Sequence, residues 1–389
     1  MSKLVSLEYL NDYDIETLKN AVENAFQCLN IKNRFKSNMK VLIKVCLSDA
    51  VSQDMAETTH PAVVRALVDY LSNMGVKCIV ADSPEKKFTE SYLNFVYLNT
   101  GMLEMANLTK CELNQDLKTS NVEVPNGVKT KCLTITDVAN QVDAIINVGK
   151  LKFDDNLGYL GATSNIFGLV PGEMKTLVLN RLTALGDFND YIIDMYETLK
   201  DKVVLNVLDA VVSLEANKTQ RMLNCLAMSE NAYSLDATMF DILDIKYENT
   251  VLKQAQKRDL FDFNKPYKIV GEKIEKFKVE DFSVLEFDNH KLIKQPSGYF
   301  KTHQQRPTID KNKCKGCKIC SKICPTNAIM MKYDNNDELY AEIDYRKCIF
   351  CNKCITACPY SVVQQKTPLA YKSMMKEIEK HNSVRDNQN

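Results

Sequence analysis

Residues 59–84 read THPAVVRALVDYLSNMGVKCIVADSP, and this stretch sets the fold class of the larger part of the chain. Thr58, Thr59 and His60 precede Pro61, and proline suits the first position of a helix, where its missing N–H has no intrahelical partner to lose. The apolar spacing predicts a helix from Pro61 to about Met74, stopped by Gly75. Val76 to Ala81 then predicts a strand, and Asp82-Ser83-Pro84 follows it. Beside Pro61, His60 is read as a capping residue in preference to a ligand or base.

The same alternation extends outward on both sides. Leu4 to Tyr9 reads as a first strand. Asp14 to Leu29 reads as a helix with Ile15, Leu18, Val22, Phe26 and Leu29 at helical spacing. Lys40 to Leu47 reads as a second strand. This β-α-β-α-β order argues for a parallel sheet with helices packed on it. Ala144 to Val148 and Val203 to Leu208 read as further buried strands. The expected fold class is α/β, a mostly parallel sheet with flanking helices over residues 1–270.

Open sheets of this kind take ligands beyond the carboxyl ends of their strands. Asp82 follows the third strand, Lys150 and Lys152 follow Ala144 to Val148, and Asp209 follows Val203 to Leu208. Asn165 lies in residues 149–176, GKLKFDDNLGYLGATSNIFGLVPGEMKT, a segment rich in glycine for a chain with only 12. Asp82, Lys150, Lys152, Asn165 and Asp209 are therefore expected to converge on one cofactor- or ligand-binding crevice. Two lysines there favour an anion such as a carboxylate or phosphate; the alternative is that both are surface residues at a strand end. No G-x-G-x-x-G, H-E-x-x-H or G-x-S-x-G is present, and the run from Gly168 to Lys175-Thr176 has the wrong spacing for a P-loop. No flavin motif is recognised, which leaves an organic cofactor open.

A second signal lies further along. Cys314, Cys317, Cys320 and Cys324 precede Pro325, and Cys348, Cys351, Cys354 and Cys358 precede Pro359. Each set reads C-x2-C-x2-C-x3-C-P, the ligand run of bacterial-type two-cluster ferredoxins, in which the fourth cysteine of each run serves the other cluster. One [4Fe–4S] cluster is thus assigned to Cys314, Cys317, Cys320 and Cys358, the other to Cys348, Cys351, Cys354 and Cys324. Gly316 lets the first loop approach the inorganic core closely. Zinc ribbons use two C-x2-C pairs for one tetrahedral site, and two full runs with terminal prolines do not fit that pattern. The N-terminal residues carry no secretion signal, so dense cysteine points to metal instead of disulfides. Cys28, Cys46, Cys78, Cys111, Cys132 and Cys225 are read as small buried hydrophobes.

Composition agrees with a soluble protein. The chain has 389 residues, with 50 basic against 50 acidic side chains. This balance gives no sign of a nucleic-acid binder, and no apolar run reaches the ~20 residues of a membrane span. Lysines are interspersed among the cysteine ligands, where positive charge would favour the reduced clusters; the alternative is that they are solvated surface residues. The expected location is a reducing cytoplasm, that of an anaerobe.

The segments THPAVVRALVDYLSNMG, VADSP, INVGKLK, GATSNIFGLVPG, NVLDAV and SLDATMFDI occur in the order found in the "domain of unknown function 362" family, whose members are often fused to a two-cluster ferredoxin module. The chain resembles that family over residues 1–270, with the fusion following. No activity is established for the family, so the resemblance implies architecture more than reaction. The family's K-x-K-T-H keeps Lys150 and Lys152 here, but Phe153-Asp154 replaces Thr-His. Ser164-Asn165 stands where the family has K-N, and SLEANKTQRM replaces the glycine- and proline-rich stretch after Asp209. The basic site has thus lost a Lys and a His.

The organisation expected is an α/β domain over 1–270, a linker over 271–306, a small α+β two-cluster ferredoxin-like domain over 307–366, and a C-terminal helix and tail over 367–389. In the ferredoxin module Ala328 to Tyr333 and Ile343 to Tyr345 read as short strands. Pro368 to His381 reads as an amphipathic helix. The functional expectation is an iron–sulfur oxidoreductase component that exchanges electrons with a substrate or cofactor site in the first domain or with a redox partner protein. The alternative is a non-redox ligand-binding or transferase domain with a structural or docking ferredoxin module.

Overall fold

The computed structural model describes residues 2–47, 49–85, 88–154, 156–182, 184–265, 267–284, 306–324, 327–334, 336–345, 348 and 353–366. The helix expected over 368–381 and most of the expected linker lie outside the described residues. Contacts divide the described residues into two units, 2–175 with 182–284, and 176–181 with 306–366.

The first unit begins with β1 (Leu4–Tyr9), α1 (Ile15–Leu29), β2 (Lys40–Lys44), α2 (Pro61–Asn73) and β3 (Lys77–Ala81). Asp14 caps α1 through its carboxylate on the Thr17 N–H. His60 caps α2, its Nδ1 accepting from the Ala62 N–H at 3.2 Å, with Pro61 in the first turn. There follow α3 (Glu90–Asn99), α4 (Met102–Thr109), β4 (Glu112–Leu113), the hairpin of β5 (Thr119–Glu123) and β6 (Cys132–Thr136), β7 (Ala144–Asp154), β8 (Gly158–Leu160), and helices α5 (Ala162–Asn165), α6 (Gly172–Arg181, of which residues 176–181 group with the second unit) and α7 (Leu185–Leu199). Then come β9 (Val203–Leu214), β10 (Gln220–Ser229), α8 (Ala232–Ile242), α9 (Val251–Lys257) and β11 (Lys268–Gly271).

The central sheet runs β11-β1-β10-β9-β7-β2-β3-β4, with β8 paired to β7. Its ladders are parallel at β11–β1, β9–β7, β7–β2, β2–β3 and β3–β4. They are antiparallel at β1–β10, β10–β9 and β7–β8. The sheet is mostly parallel and flanked by helices, as its βαβ order requires. The first strand, however, does not adjoin the second: β10, β9 and β7 come between them. Order along the sheet depends on long-range packing, which local periodicity does not carry.

Alternation along the strands sorts the two faces. Val41, Ile43 and Val45 join Ile146, Val148, Leu205 and Val207 in one apolar core with Leu18, Val22 and Phe26 of α1 and Val64, Leu67 and Leu71 of α2. Residues of the opposite parity, Lys44, Asn147 and Asn206 among them, therefore face the other side, toward α5 and α8. Two strands are longer than the sequence suggests. The strand begun at Ala144 continues to Asp154, and that begun at Val203 continues to Leu214, so Lys150, Lys152 and Asp209 lie within strands and not in the loops after them.

Cys78, Cys132 and Cys225 are buried as expected, but Cys28 is exposed and Cys46 and Cys111 are only partly covered. Cys28 occupies a solvent-facing position late in α1. Beyond β11, Phe277 and Phe282 are buried, and the Ser283 carbonyl accepts from the Ala216 N–H at 3.0 Å.

The second unit contains two short antiparallel ladders. β12 (Arg306–Ile309) pairs with β15 (Val363–Lys366), and β13 (Ile329–Tyr333) pairs with β14 (Leu339–Ile343). Its helices are α10 (Ile319–Ile323) and α11 (Lys353–Thr356). The expected strand at Ile343 to Tyr345 instead ends at Ile343. Among the described residues no helix is long and apolar enough to cross a membrane.

Candidate functional site

The carboxyl end of β2 stops at Lys44, while its neighbour β7 continues ten residues past Ala144. Above the shorter strand lies a cavity of about 510 Å3, including space open to solvent. Lys44, Cys46, Asp82, Glu85, Lys150, Lys152, Asn165 and Lys175 supply its polar lining, with Phe167, Gly168 and Phe188 among the remainder. Four of the five residues expected from sequence to form a crevice thus line one cavity. Asp209 stands behind it, bonded to Lys150.

The strand register builds the floor. Lys44 lies opposite Asn147, and Asn147 opposite Asn206. Asn147 donates to the Asn206 side chain at 2.9 Å and to the Ala162 carbonyl at 2.8 Å. Asn165 joins this row from α5, donating to Asn147 at 2.8 Å and accepting from the Lys44 ammonium at 3.0 Å. Lys44 also donates to its neighbour's carbonyl, Val45, at 2.6 Å and pairs with Asp82 Oδ1 at 3.0 Å. Both side chains of that ion pair are almost fully buried. Such a pair persists only when its remaining bonding capacity is met, and Asp82 meets it by accepting from the Leu47 and Ser83 N–H groups.

The segment of glycines fits around this pair. A Cβ on Gly168 would stand 2.1 Å from both Asp82 Oδ1 and Lys44 Nζ. A Cβ on Gly161 would collide with the Tyr159 hydroxyl and with Asp236 Oδ1. Asp236 of α8 is buried and accepts from the Tyr159 hydroxyl and from the N–H groups of Ala162 and Thr163 that open α5. Burial pushes its pKa up, against those donors.

Lys150 enters from the face covered by α1 and α2. It continues the parity of Ile146 and Val148, as Asp209 does that of Leu205 and Val207. The two are paired positions of β7 and β9, with Nζ 3.0 Å from Asp209 Oδ2. Lys150 also donates to the Tyr13 hydroxyl at 2.9 Å, which in turn donates to Asp209 Oδ1 at 2.9 Å. His60 stacks on the Tyr13 ring at 3.6 Å, and its backbone N–H donates to Asp209 Oδ2 at 3.0 Å. Burial lowers the pKa of Lys150, with Asp209 opposing the shift. Burial likewise brings His60 down to about 4 and raises Tyr13 well above its ordinary range.

Lys152 donates to the Glu57 carbonyl at 2.7 Å. Lys175, from α6, donates to the Ser83 carbonyl, while the Gly172 N–H that opens the same helix donates to Ser83 Oγ at 2.6 Å. Burial lowers the pKa of Lys175, opposed by Asp82 and Glu85. Solvent reaches Glu85, yet the protein around its carboxyl still raises the pKa, opposed by Lys175 and Lys152. The polar lining of the cavity thus combines four lysine side chains with the carboxyl groups of Asp82 and Glu85, the Asn165 amide and the Cys46 thiol.

Sequence reasoning missed Lys44 and Lys175. The signal for Lys44 is a lone cation inside the apolar run VLIKVCL, since a charge in a buried strand has to be matched by a partner. For Lys175 there is only its place in the glycine-rich segment.

In the second unit a separate cavity of about 320 Å3 is lined by Cys314, Cys317, Cys320 and Cys358, with Lys315, Lys318, Met331 and Tyr360. These are the four cysteines assigned from spacing to one cluster. Burial raises the Cys320 thiol, and Cys314, Cys317 and Cys358 push it further up, so the four sulfurs share one surrounding. Burial would also raise Cys358, but the N–H groups of Val362, Tyr360, Val363 and Ser361 outweigh it and favour thiolate. Gly316 has φ +61°, and a Cβ there would lie 2.5 Å from the Leu339 carbonyl oxygen. Four thiols around one cavity, with backbone N–H groups turned toward a sulfur, suit the donor set of an iron–sulfur cube. Of the other assigned set, Cys324, Cys348 and Cys354 pack in the core of this unit, and the Ala328 N–H donates to Cys324 Sγ at 3.2 Å. Cys351 lies outside the described residues.

Comparison with known proteins matches two family profiles. Residues 41–241, more than half of the chain, match "Domain of unknown function (DUF362)". Residues 313–362 match "4Fe-4S dicluster domain". A relative from Synechocystis sp. (strain ATCC 27184 / PCC 6803 / Kazusa), described as a thylakoid-associated protein, is 27% identical over 270 residues, covering 66% of this chain and 80% of its own. Among solved structures, the lactate racemase apoprotein from Thermoanaerobacterium thermosaccharolyticum aligns with a TM-score of 0.38 and 14% identity, over 62% of this chain and 57% of that one.

Proposed function

The chain belongs to the DUF362 family and carries a 4Fe–4S dicluster domain, and from that we propose that it is an electron-transfer protein holding two [4Fe–4S] clusters and serving an anion-binding site in its α/β unit. The observation that carries the reading is the cavity shared by Cys314, Cys317, Cys320 and the distant Cys358. A ligand contributed from the second run is what interleaved two-cluster binding requires. Cys348, Cys351, Cys354 and Cys324 would hold the other cluster. Such clusters, when bound, supply one-electron transfer.

In the α/β unit, Lys150 and Lys152 attract a carboxylate or phosphate group into the cavity. Asp209 and Tyr13 hold Lys150 in place from behind. Asp82 fixes Lys44, and Asn165 links Lys44 to the row of asparagines. Electrons reach or leave the protein through a redox partner protein, in a reducing, cytoplasmic compartment. The cavity also supports a second reading, binding or group transfer on an anionic ligand without electron transfer, because its lysines need no redox chemistry to attract an anion.

Anaerobic purification and reconstitution test the first reading. The expected content is about eight iron and eight sulfide per chain, with the magnetic signature of two interacting clusters on reduction. Four or fewer iron atoms would overturn it. Ligand conversion that persists after complete removal of iron would favour the second.

A further inference from the structure

The cavity framed by Cys314, Cys317, Cys320 and Cys358 has one exposed ligand position, Cys317. Around it the surface is both basic and apolar. Lys315, Lys318 and Lys322 are exposed, and among the described residues none of them has an ion-pair partner. Their neighbours differ: Lys311 and Lys332 pair with Glu342, and Lys313 with Asp310. Lys318 and Lys322 stand one helical turn apart, with the Lys322 N–H donating to the Lys318 carbonyl at 3.0 Å. Like charges at that spacing repel, and among the described residues no acidic side chain forms an ion pair with either. Ile319 and Ile323, again one turn apart, are 40% and 43% exposed, and Tyr360 is 52% exposed. Lys315, Lys318 and Tyr360 line the cysteine cavity itself.

An apolar centre with a charged border is the build of a protein interface, and unpaired positive charge selects a partner of opposite sign. Resting on the cluster assignment above, we infer that the surface of Lys315, Lys318, Ile319, Lys322, Ile323 and Tyr360 docks a small acidic one-electron carrier protein against Cys317. The step is single: one electron leaves the reduced carrier and enters the cluster held by Cys314, Cys317, Cys320 and Cys358. No bond forms or breaks, and no proton is required. Charge on such a surface acts mainly by steering the encounter and fixing its register.

The test uses the full-length, iron-replete protein and an acidic plant-type [2Fe–2S] ferredoxin as the probe, whose spectrum is distinct from that of a [4Fe–4S] centre. Titration calorimetry at low salt is expected to detect binding that weakens several-fold as salt is raised. The variant Lys315→Glu/Lys318→Glu/Lys322→Glu is expected to bind roughly tenfold or more weakly, with iron content and visible absorption unchanged. Should that variant lose its iron, Lys322→Glu alone supplies the comparison, with a smaller loss in the same direction. Charge-reversed protein that keeps its iron and binds the probe as tightly as wild type would overturn the docking surface. So would iron-replete wild type that does not bind at low salt. Wild type that holds no iron after reconstitution would instead sink the cluster assignment, so iron analysis on the same samples separates the two failures.

Discussion

Lys150 Nζ and Asp209 Oδ2 stand 3.0 Å apart at paired positions of two neighbouring parallel strands, their side chains 1% and 0% exposed. Parity places both on the face covered by α1 and α2, and the Tyr13 hydroxyl closes the arrangement by bonding to each. Removing one partner leaves the other charge buried without its match. Asp209→Asn should therefore destabilise the first unit by about 3 kcal/mol, the size of loss typical of a broken buried pair. Replacing both, as Lys150→Met/Asp209→Leu, should recover much of that loss. Urea unfolding followed by circular dichroism makes the comparison, and a single variant as stable as wild type would contradict the buried pair.

Gly168→Ala addresses the other buried pair. Its new Cβ would press on both Asp82 Oδ1 and Lys44 Nζ, and the two groups would have to leave their 3.0 Å pairing to make room. The expected cost is about 1–3 kcal/mol, as for overpacking elsewhere. Urea unfolding of Gly168→Ala beside wild type measures that cost. Equal stability of the two proteins would show that the Asp82–Lys44 pair moves freely.

His60 supplies a pH-dependent component. Burial lowers its pKa from 6.5 to about 4, with Lys150 acting in the same direction and Asp209 and Asp54 opposing. Between these values the unfolded chain binds a proton that the folded chain does not. Stability is thus complete above pH 6.5 and declines as pH falls toward 4. Allowing for partial exposure, His60 should contribute about 2 kcal/mol to that decline. Asn is also a good helix cap, so His60→Asn should keep α2 intact and flatten the profile over this window. Unfolding curves at pH 7, 6, 5 and 4 give the difference; parallel profiles would contradict the assigned burial.

Much of this architecture could be read in advance. THPAVVRALVDYLSNMG carries its cap, its first-turn proline, its apolar stripe and its terminating glycine, all local features, and the helix falls within a residue of its expected end. Lys150, Lys152 and Asp209 were placed beyond strands that in fact continue through them. Polar residues in a strand resemble a loop in sequence, because their partners come from elsewhere: Tyr13 and Asp209 for Lys150, and the Glu57 carbonyl for Lys152. The insertion of β10, β9 and β7 between the first two strands depends on long-range packing. Lys44 and Lys175 escaped notice for the same reason, since their partners Asp82 and Ser83 are distant in sequence. The four cysteines that line one cavity, Cys314, Cys317, Cys320 and Cys358, could be singled out because their spacing is a local feature of the sequence.

Lys152→Ala separates ligand binding from folding and cluster support. It should weaken binding of inorganic phosphate or a small dicarboxylate by roughly tenfold, measured by calorimetry, while iron content stays at the wild-type level. Loss of iron in this variant would place Lys152 in cluster support or folding, and unchanged anion affinity would remove it from the binding site.

The exchange of ligands between the two cysteine runs is tested most directly by electron paramagnetic resonance of Cys358→Ala beside Cys314→Ala and Cys348→Ala, each reconstituted and reduced under the same conditions. Cys358 lines the cavity of Cys314, Cys317 and Cys320. The expected result is that Cys358→Ala and Cys314→Ala perturb the same cluster and leave the same signal, while Cys348→Ala perturbs the other. If Cys358→Ala instead matches Cys348→Ala, each run holds its own cluster and the interleaved assignment is wrong.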